Sequence, residues 1–429
     1  MKLRFKNARI LTMEQPLQII EGELWVENNL ITYIGEKPSN ITEKFDKTID
    51  VERNLLMPGF KNAHTHSAMS FLRSYADDLP LHDWLNNLVF PAEALLKDDD
   101  EYHLAKVSIL EYLTSGVTAA FDMYYKPELT AQAAVDLGFR IVCLGTVTKY
   151  RESVEEMVEA YKKLNNHPSG LVSYELGFHA IYTASKEILS ELKKAADKLK
   201  APIYTHLAET KVEFDNCMET HGMTPTAFID SLGLWEYGGG GFHGIYVTDE
   251  DLDIMKKRGL YIVSNPSSNV KIASGIAPIT KYLEKGVPVA IGTDGPASNN
   301  ALDFFREMWL VSTLSKLDLM DASVVDALEV LNMATVNGAH AMRLYNADIL
   351  KEGKYADVIM IDLNTPNMQP INNILKNIIY AGAKSNIKMT MVNGNILYYD
   401  GEFYLNEDVS EIYKKAQAIT ERIKVEMSK

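Results

Sequence analysis

A chain of 429 residues is long enough for a large core and more than one domain, and 46% hydrophobic residues is ordinary for a globular protein. A formal charge of −15 argues against non-specific binding to nucleic acid or to a membrane surface, but leaves room for a nucleotide-like small molecule in a local site. Two cysteines, Cys143 and Cys217, give neither a disulfide framework nor a thiolate zinc site. No apolar stretch approaches the roughly 18 residues of a membrane span, and the N-terminus lacks a signal-peptide run, so a cytoplasmic protein is expected.

Residues 1–57 hold short apolar runs, "LRFKNARIL", "GELWVEN" and "LITYIGE", broken by Asn, Gly and Pro; they read as strands with turns. From 58 to 345, short apolar runs alternate with amphipathic stretches. The runs include "VTAAFDMYY", "RIVCLGTV", "LVSYELGFHAIY", "PIYTHLAE", "GGFHGIYV", "LYIVSNP" and "PVAIGTDG"; between them lie helical patterns such as "VEEMVEAYKKL" and "SKEILSELKKAADKLK". With "LMPGFKNAHTH" counted as the first, there are eight strand candidates. A repeated β-α order of that length predicts a closed (β/α)8 barrel. From 346 the strand pattern returns in "ADVIMIDLN", "IKMTMVNG" and "NILYYDGEF", and the chain ends in a helical segment. Neither terminal piece is large, and each alone would expose sheet edges. The expectation is one small β-sandwich domain built from 1–57 and 346–429, beside a catalytic barrel over 58–345.

Polar residues recur where the barrel strands run out: His64 and His66 end the first, Asp122 is near the end of the second, His179 of the fourth, His206 of the fifth, His243 of the sixth and Asp294 of the eighth. In such a barrel these ends converge on one mouth. His64, His66, His206 and Asp294 would offer three imidazoles and a carboxylate, a set suited to zinc or another first-row divalent ion, and such an ion lowers the pKa of a bound water. Glu209, three residues after His206, either carries a proton between water and a substrate nitrogen or caps the next helix. Asp294, in "GTDGPASNN", reads as a ligand or as a turn aspartate.

These motifs, "PGFKNAHTH", "HLAET", "SNPSSNVKIASGIAPI" and "GTDGPASNN", resemble the amidohydrolase superfamily, and within it the methylthioadenosine/S-adenosylhomocysteine deaminase group. The resemblance covers nearly the whole chain. It implies one divalent ion, zinc before iron, nickel or manganese, on His64, His66, His206 and Asp294. It implies that Glu209 protonates the purine ring nitrogen, while His243 and Asp294 orient and deprotonate the water that attacks C6 of adenine, so that ammonia leaves. No lysine stands in a two-metal bridging role.

In "LHDWLNNLVFPAE" the resemblance implies that Trp84 walls the purine and Glu93 meets the ribose hydroxyls; His179 resembles a substrate-contacting histidine. Trp84 and His179 also read as a buried loop anchor and as a structural hydrogen-bonding group. Ser298 is a further candidate for substrate contact. Some members of the group hold the amino-acid carboxylate of S-adenosylhomocysteine with arginines after the third strand; here Arg140 falls inside the strand, and Arg151, with Lys149 nearby, is the nearest candidate. The expected partner is a small nucleoside, with no nucleic acid and no membrane, and a homo-oligomer is compatible with the sequence. A deaminase or hydrolase acting on guanine or another heterocycle, and a catalytically silent scaffold, are the alternatives.

Overall fold

The computed structural model describes residues 1–75, 77–79 and 81–429, excluding the side chains of Leu81 and His82. Among the described residues, eight parallel strands follow one another around a barrel in chain order: Phe60–Thr65, Val117–Met123, Arg140–Leu144, Val172–Gly177, Ile203–Leu207, Gly239–His243, Leu260–Ser264 and Val289–Ile291. Helices lie between them, among them Val154–Leu164 and Lys186–Leu199. Each of these two begins on a serine whose hydroxyl accepts the fourth-residue N–H, Ser153 from Glu156 and Ser185 from Ile188, as N-caps do.

The barrel interior is filled by side chains, including Ala63, Phe121, Val142, Tyr204, Phe242, Val263 and Ala290. Between the eighth strand and the first, side chains take over from the ladder. Asn62 donates to Thr293 Oγ1 (2.7 Å) and accepts from Thr293 N (2.9 Å), and the His64 carbonyl accepts from Thr293 N (3.1 Å) and Asp294 N (3.0 Å). Gly292 permits this approach, because a Cβ there would stand 2.8 Å from the His64 backbone.

Both chain ends contribute to one mixed sheet in which Lys2–Leu11 pairs with Ile19–Glu27, Lys47–Asp50 and Leu55–Pro58. Val358–Ile361 then joins Leu55–Pro58 to the C-terminal strands. The alternation along the central strands explains their burial on both faces. Leu56, Val358 and Met360 pack into the sheet's own core, while Leu55, Met57, Ile359 and Ile361 pack on the barrel. The run counted as a single first strand is therefore two. Leu55–Pro58 belongs to the terminal sheet, and only from Phe60 does the chain enter the barrel. The C-terminal helix spans Val409–Met427.

Candidate active site

The strand-end residues do meet. Ligand-type atoms of His64, His66, His206 and Asp294 lie within 4.8 Å of one another, close enough for the four to hold a metal ion. The partners of these residues show which atoms are aimed inward. His66 Nδ1 bonds the Met123 carbonyl (2.6 Å) and His206 Nδ1 bonds the His179 carbonyl (2.7 Å), so each must carry its proton there and turn Nε2 to the cluster. Asp294 Oδ2 accepts from Ser268 Oγ (2.7 Å) and Ser298 Oγ (2.8 Å), which leaves Oδ1 facing His66 Nε2 at 3.1 Å and His64 Nε2 at 3.4 Å.

His64 is fully buried, its ring stacked on Phe242 at 3.9 Å between centroids, and among the described residues neither ring nitrogen has a hydrogen-bond partner. Unpaired buried imidazole nitrogens are costly, and a cation at this point would engage one of them. The electrostatics agree with that fit. Burial pulls His66 down, but the Asp294 carboxylate outweighs it and raises the ring to about 9, a preference for positive charge at the same spot. Burial pushes His64 down to about 3, against a weaker pull from Asp294. Burial would raise Asp294, yet the neighbouring imidazoles hold it well below the usual carboxylate range.

Glu209 and His243 stand beside the cluster, with Glu209 Oε2 3.8 Å from His243 Nε2. His243 Nδ1 bonds Asn269 Oδ1 (2.8 Å), so its Nε2 lone pair faces the cavity. Burial raises Glu209, only partly opposed by His243, and this favours a proton on the carboxyl. Three residues at this rim adopt left-handed backbone: Ala208 (φ 49°), His243 (φ 75°) and Asp294 (φ 59°). Such conformations cost roughly 1–3 kcal/mol each and persist where surrounding contacts over-determine them.

The cavity in front of the cluster is lined by Trp84, Glu93, Tyr124, Tyr125, His179, Tyr182, Glu209 and Ser298, among others. Trp84 is 5% exposed, packs with Met69, Phe71 and Val89, and among the described residues its buried indole N–H has no partner. It is thus both a buried anchor and a wall of the cavity. Glu93 accepts from Tyr124 Oη and Tyr125 Oη, both at 2.8 Å, one on each carboxylate oxygen. His179 Nδ1 bonds Thr183 Oγ1 (3.0 Å), and burial pushes the ring down to about 4.

Three sequence candidates sit elsewhere or act differently. Arg151 lies over the Tyr125 ring at 4.2 Å and lines a separate cavity with Lys126, Glu128, Glu152 and Glu156. Asp122 accepts from Ser67 N (2.6 Å), which holds the chain just past His66, and is outside the metal-capable cluster. Ser298, expected at the substrate, directs its hydroxyl proton to Asp294 although it borders the cavity. Ser268, Asn269, Tyr124 and Tyr125 escaped the sequence reading. Each lies just beyond a barrel strand, in "SNPSSN" or "DMYYK", so the strand-end rule that found the histidines applied to them as well.

A family model described as the amidohydrolase family matches residues 55–397. The chain belongs to the amidohydrolase family. Among amidohydrolase relatives, a 5-methylthioadenosine/S-adenosylhomocysteine deaminase of Thermococcus sibiricus is 39% identical over 92% of this chain and 94% of its own. The protein of the same name from Caldicellulosiruptor saccharolyticus is 36% identical over 98% of each chain. Of the solved structures, a zinc-bound adenosine deaminase from Xanthomonas campestris superposes with a TM-score of 0.92 at 28% identity, over 99% of this chain and 98% of that one. A zinc-bound atrazine chlorohydrolase from Arthrobacter aurescens, 21% identical with a TM-score of 0.88 over 97% of this chain and 100% of its own, shares the fold.

Proposed function

We propose that this amidohydrolase deaminates the adenine ring at C6 of adenosine-type nucleosides, the class of 5'-methylthioadenosine, adenosine and S-adenosylhomocysteine, and releases ammonia. The observation that carries this reading is the approach of Glu209 to His243 beside four metal-capable side chains, in a cavity also lined by Trp84 and Glu93. One divalent ion, zinc in our assignment, would be held by His64, His66, His206 and Asp294, and when bound it lowers the pKa of a water so that hydroxide is available near neutral pH.

The protein's own groups do the rest. His243 Nε2 and Asp294 Oδ1 accept the water's proton and orient its oxygen toward C6. Glu209, whose carboxyl burial raises above the usual range, donates a proton to the ring nitrogen N1 as the oxygen adds. The proton taken from the water passes to the amino group, the C–N bond breaks as ammonia departs, and the proton of the added hydroxyl returns to Glu209, leaving a carbonyl at C6. Trp84, which lines the cavity, offers its ring to the base. Each Glu93 oxygen keeps a lone pair beyond its tyrosine bond, enough to accept from a ribose hydroxyl. His179 completes the wall. We assign this chemistry to a catalytic unit over 58–345, supported by a composite β unit of 1–57 and 346–429, in a cytosolic protein.

Within the class, the uncharged substrates are favoured in this reading, because Arg151 is stacked on Tyr125 and lines the neighbouring cavity that shares this ring. The test is ammonia release from the three nucleosides and from guanine. Methylthioadenosine or adenosine should be turned over at least as efficiently as S-adenosylhomocysteine, and guanine poorly. Glu209→Gln should retain nucleoside binding and lose roughly 100- to 10,000-fold in kcat. Near wild-type turnover by that variant, or guanine as the best substrate, would reject the assignment.

A further inference from the structure

The Glu209 role just proposed depends on placement, since Glu209 sits in a loop with its Oε2 3.8 Å from His243 Nε2. The loop is held from below by a second carboxylate. Glu213 is 5% exposed; its Oε2 accepts from Glu209 N (2.9 Å) and its Oε1 from Ala208 N (3.2 Å). It belongs to the helix Lys211–His221, whose N-cap Thr210 accepts from Glu213 N (3.1 Å).

"TKVE" is thus a capping-box sequence with an unusual reach. The glutamate of such a box ordinarily returns to the N-cap N–H. Here it passes that residue and takes the two amides before it. One of those belongs to Ala208, in left-handed backbone that L-residues rarely adopt. The Ala208 carbonyl in turn accepts from Ile245 N and Tyr246 N, both at 3.0 Å, in the loop that follows His243.

We infer that Glu213 is a positioning residue for catalysis: it clamps the Ala208–Glu209 peptide, sets where the Glu209 carboxyl stands, and ties that position to the His243 loop. The inference rests on the proton-carrying role of Glu209. Two amide N–H groups converge on one carboxylate, and a carboxamide cannot serve both. In Glu213→Gln one oxygen is replaced by an NH2 that confronts an N–H donor.

Misplacement of a catalytic group by about 1 Å can cost on the order of 100-fold. Glu213→Gln should therefore lower kcat by roughly 10- to 100-fold, with KM and metal content close to wild type. A general loss of packing would lower activity by the same factor whichever residue stands at 209. A clamp that acts through Glu209 should cost less than about 3-fold in a Glu209→Gln background, because sites that share one function are non-additive. Equal losses in the two backgrounds would overturn the inference.

Hydrogen exchange at the Ala208 and Glu209 amides supplies a readout independent of turnover. Both should exchange faster in Glu213→Gln, and unchanged protection would also overturn the clamp. Should the glutamine variant fold poorly, Glu213→Asp, which keeps the acceptors but withdraws them by one methylene, is read in the same way. Absence of ammonia release by the wild type would reject the deaminase reading instead, and the exchange measurement would still decide whether Glu213 holds the loop.

Discussion

At the scale of single residues, the site is defined as much by the atoms that are tied down as by those left open. His206 illustrates this. Its Nδ1 is fixed by the carbonyl of His179, so its Nε2 has one direction in which to act. A ligand pre-set in tautomer and orientation binds metal more tightly than a mobile one. His206→Ala removes one of the four proposed donors and should leave less than half of the metal found in the wild type after dialysis against a weak chelator, measured by elemental analysis. A fully loaded His206→Ala protein would remove this histidine from the ligand set. The histidines and Asp294 were legible in the sequence because each ends a strand pattern. The pairing of Ser268 with Asp294 was not, since the two lie 26 residues apart and the strand-end position of Ser268 does not say which side chain it meets. Arg151 shows the same gap. Its place in the loop after the third strand was visible, whereas its stacking on Tyr125 depends on a neighbouring strand.

At the scale of elements, short apolar runs separated by amphipathic helices carried the barrel order correctly, because a parallel strand is buried on both faces and a helix on one. What periodicity could not show is the break at Gly59, where one continuous apolar run serves two sheets. Only the partners of Leu55–Pro58 separate it from Phe60–Thr65. Contacts between successive helices were equally hidden. Glu101, near the start of the helix Asp100–Thr114, accepts from Lys126 N (2.9 Å) at the head of the helix Pro127–Asp136. Burial pushes Glu101 up to about 7, despite that N–H and the Lys126 charge. The unfolded carboxyl loses its proton near 4.5, so between about 4.5 and 7 the folded chain binds the extra proton and this group's contribution to stability falls as pH rises. Glu101→Gln keeps the acceptor and removes the titration. Between pH 5 and pH 8 the variant should gain on the wild type by on the order of 2 kcal/mol in urea unfolding. Parallel pH curves for the two proteins would show that Glu101 is ionised throughout.

At the scale of the whole molecule, the barrel and the terminal sheet are joined at the end of the barrel opposite the site. Arg140 opens the third barrel strand and pairs with Asp357, just before the strand Val358–Ile361, through Nε to Oδ2 (2.7 Å) and Nη2 to Oδ1 (2.9 Å). Both side chains are buried, at 3% and 0% exposure. Asp357 also accepts from Asn393 N (2.8 Å), and its carbonyl accepts from Gly59 N at the point where the chain crosses from one sheet to the other. The buried Lys61, pushed down to about 8 by desolvation, adds a second cation nearby. A buried pair adds little net stability over a well-packed apolar pair, but removing one partner strands a charge and typically costs about 3–5 kcal/mol. Asp357→Asn should therefore lower the free energy of urea unfolding by an amount in that range while leaving kcat per folded molecule unchanged, because the proposed catalytic groups stand at the far ends of the strands. The double variant Arg140→Met, Asp357→Leu removes both charges and should recover much of the loss, with Lys61 still present to keep the recovery partial. If the single variant is as stable as wild type, the pair does not hold the two units together. If instead kcat falls in fully folded Asp357→Asn, the terminal sheet reaches the active site through the barrel, and its role extends beyond support.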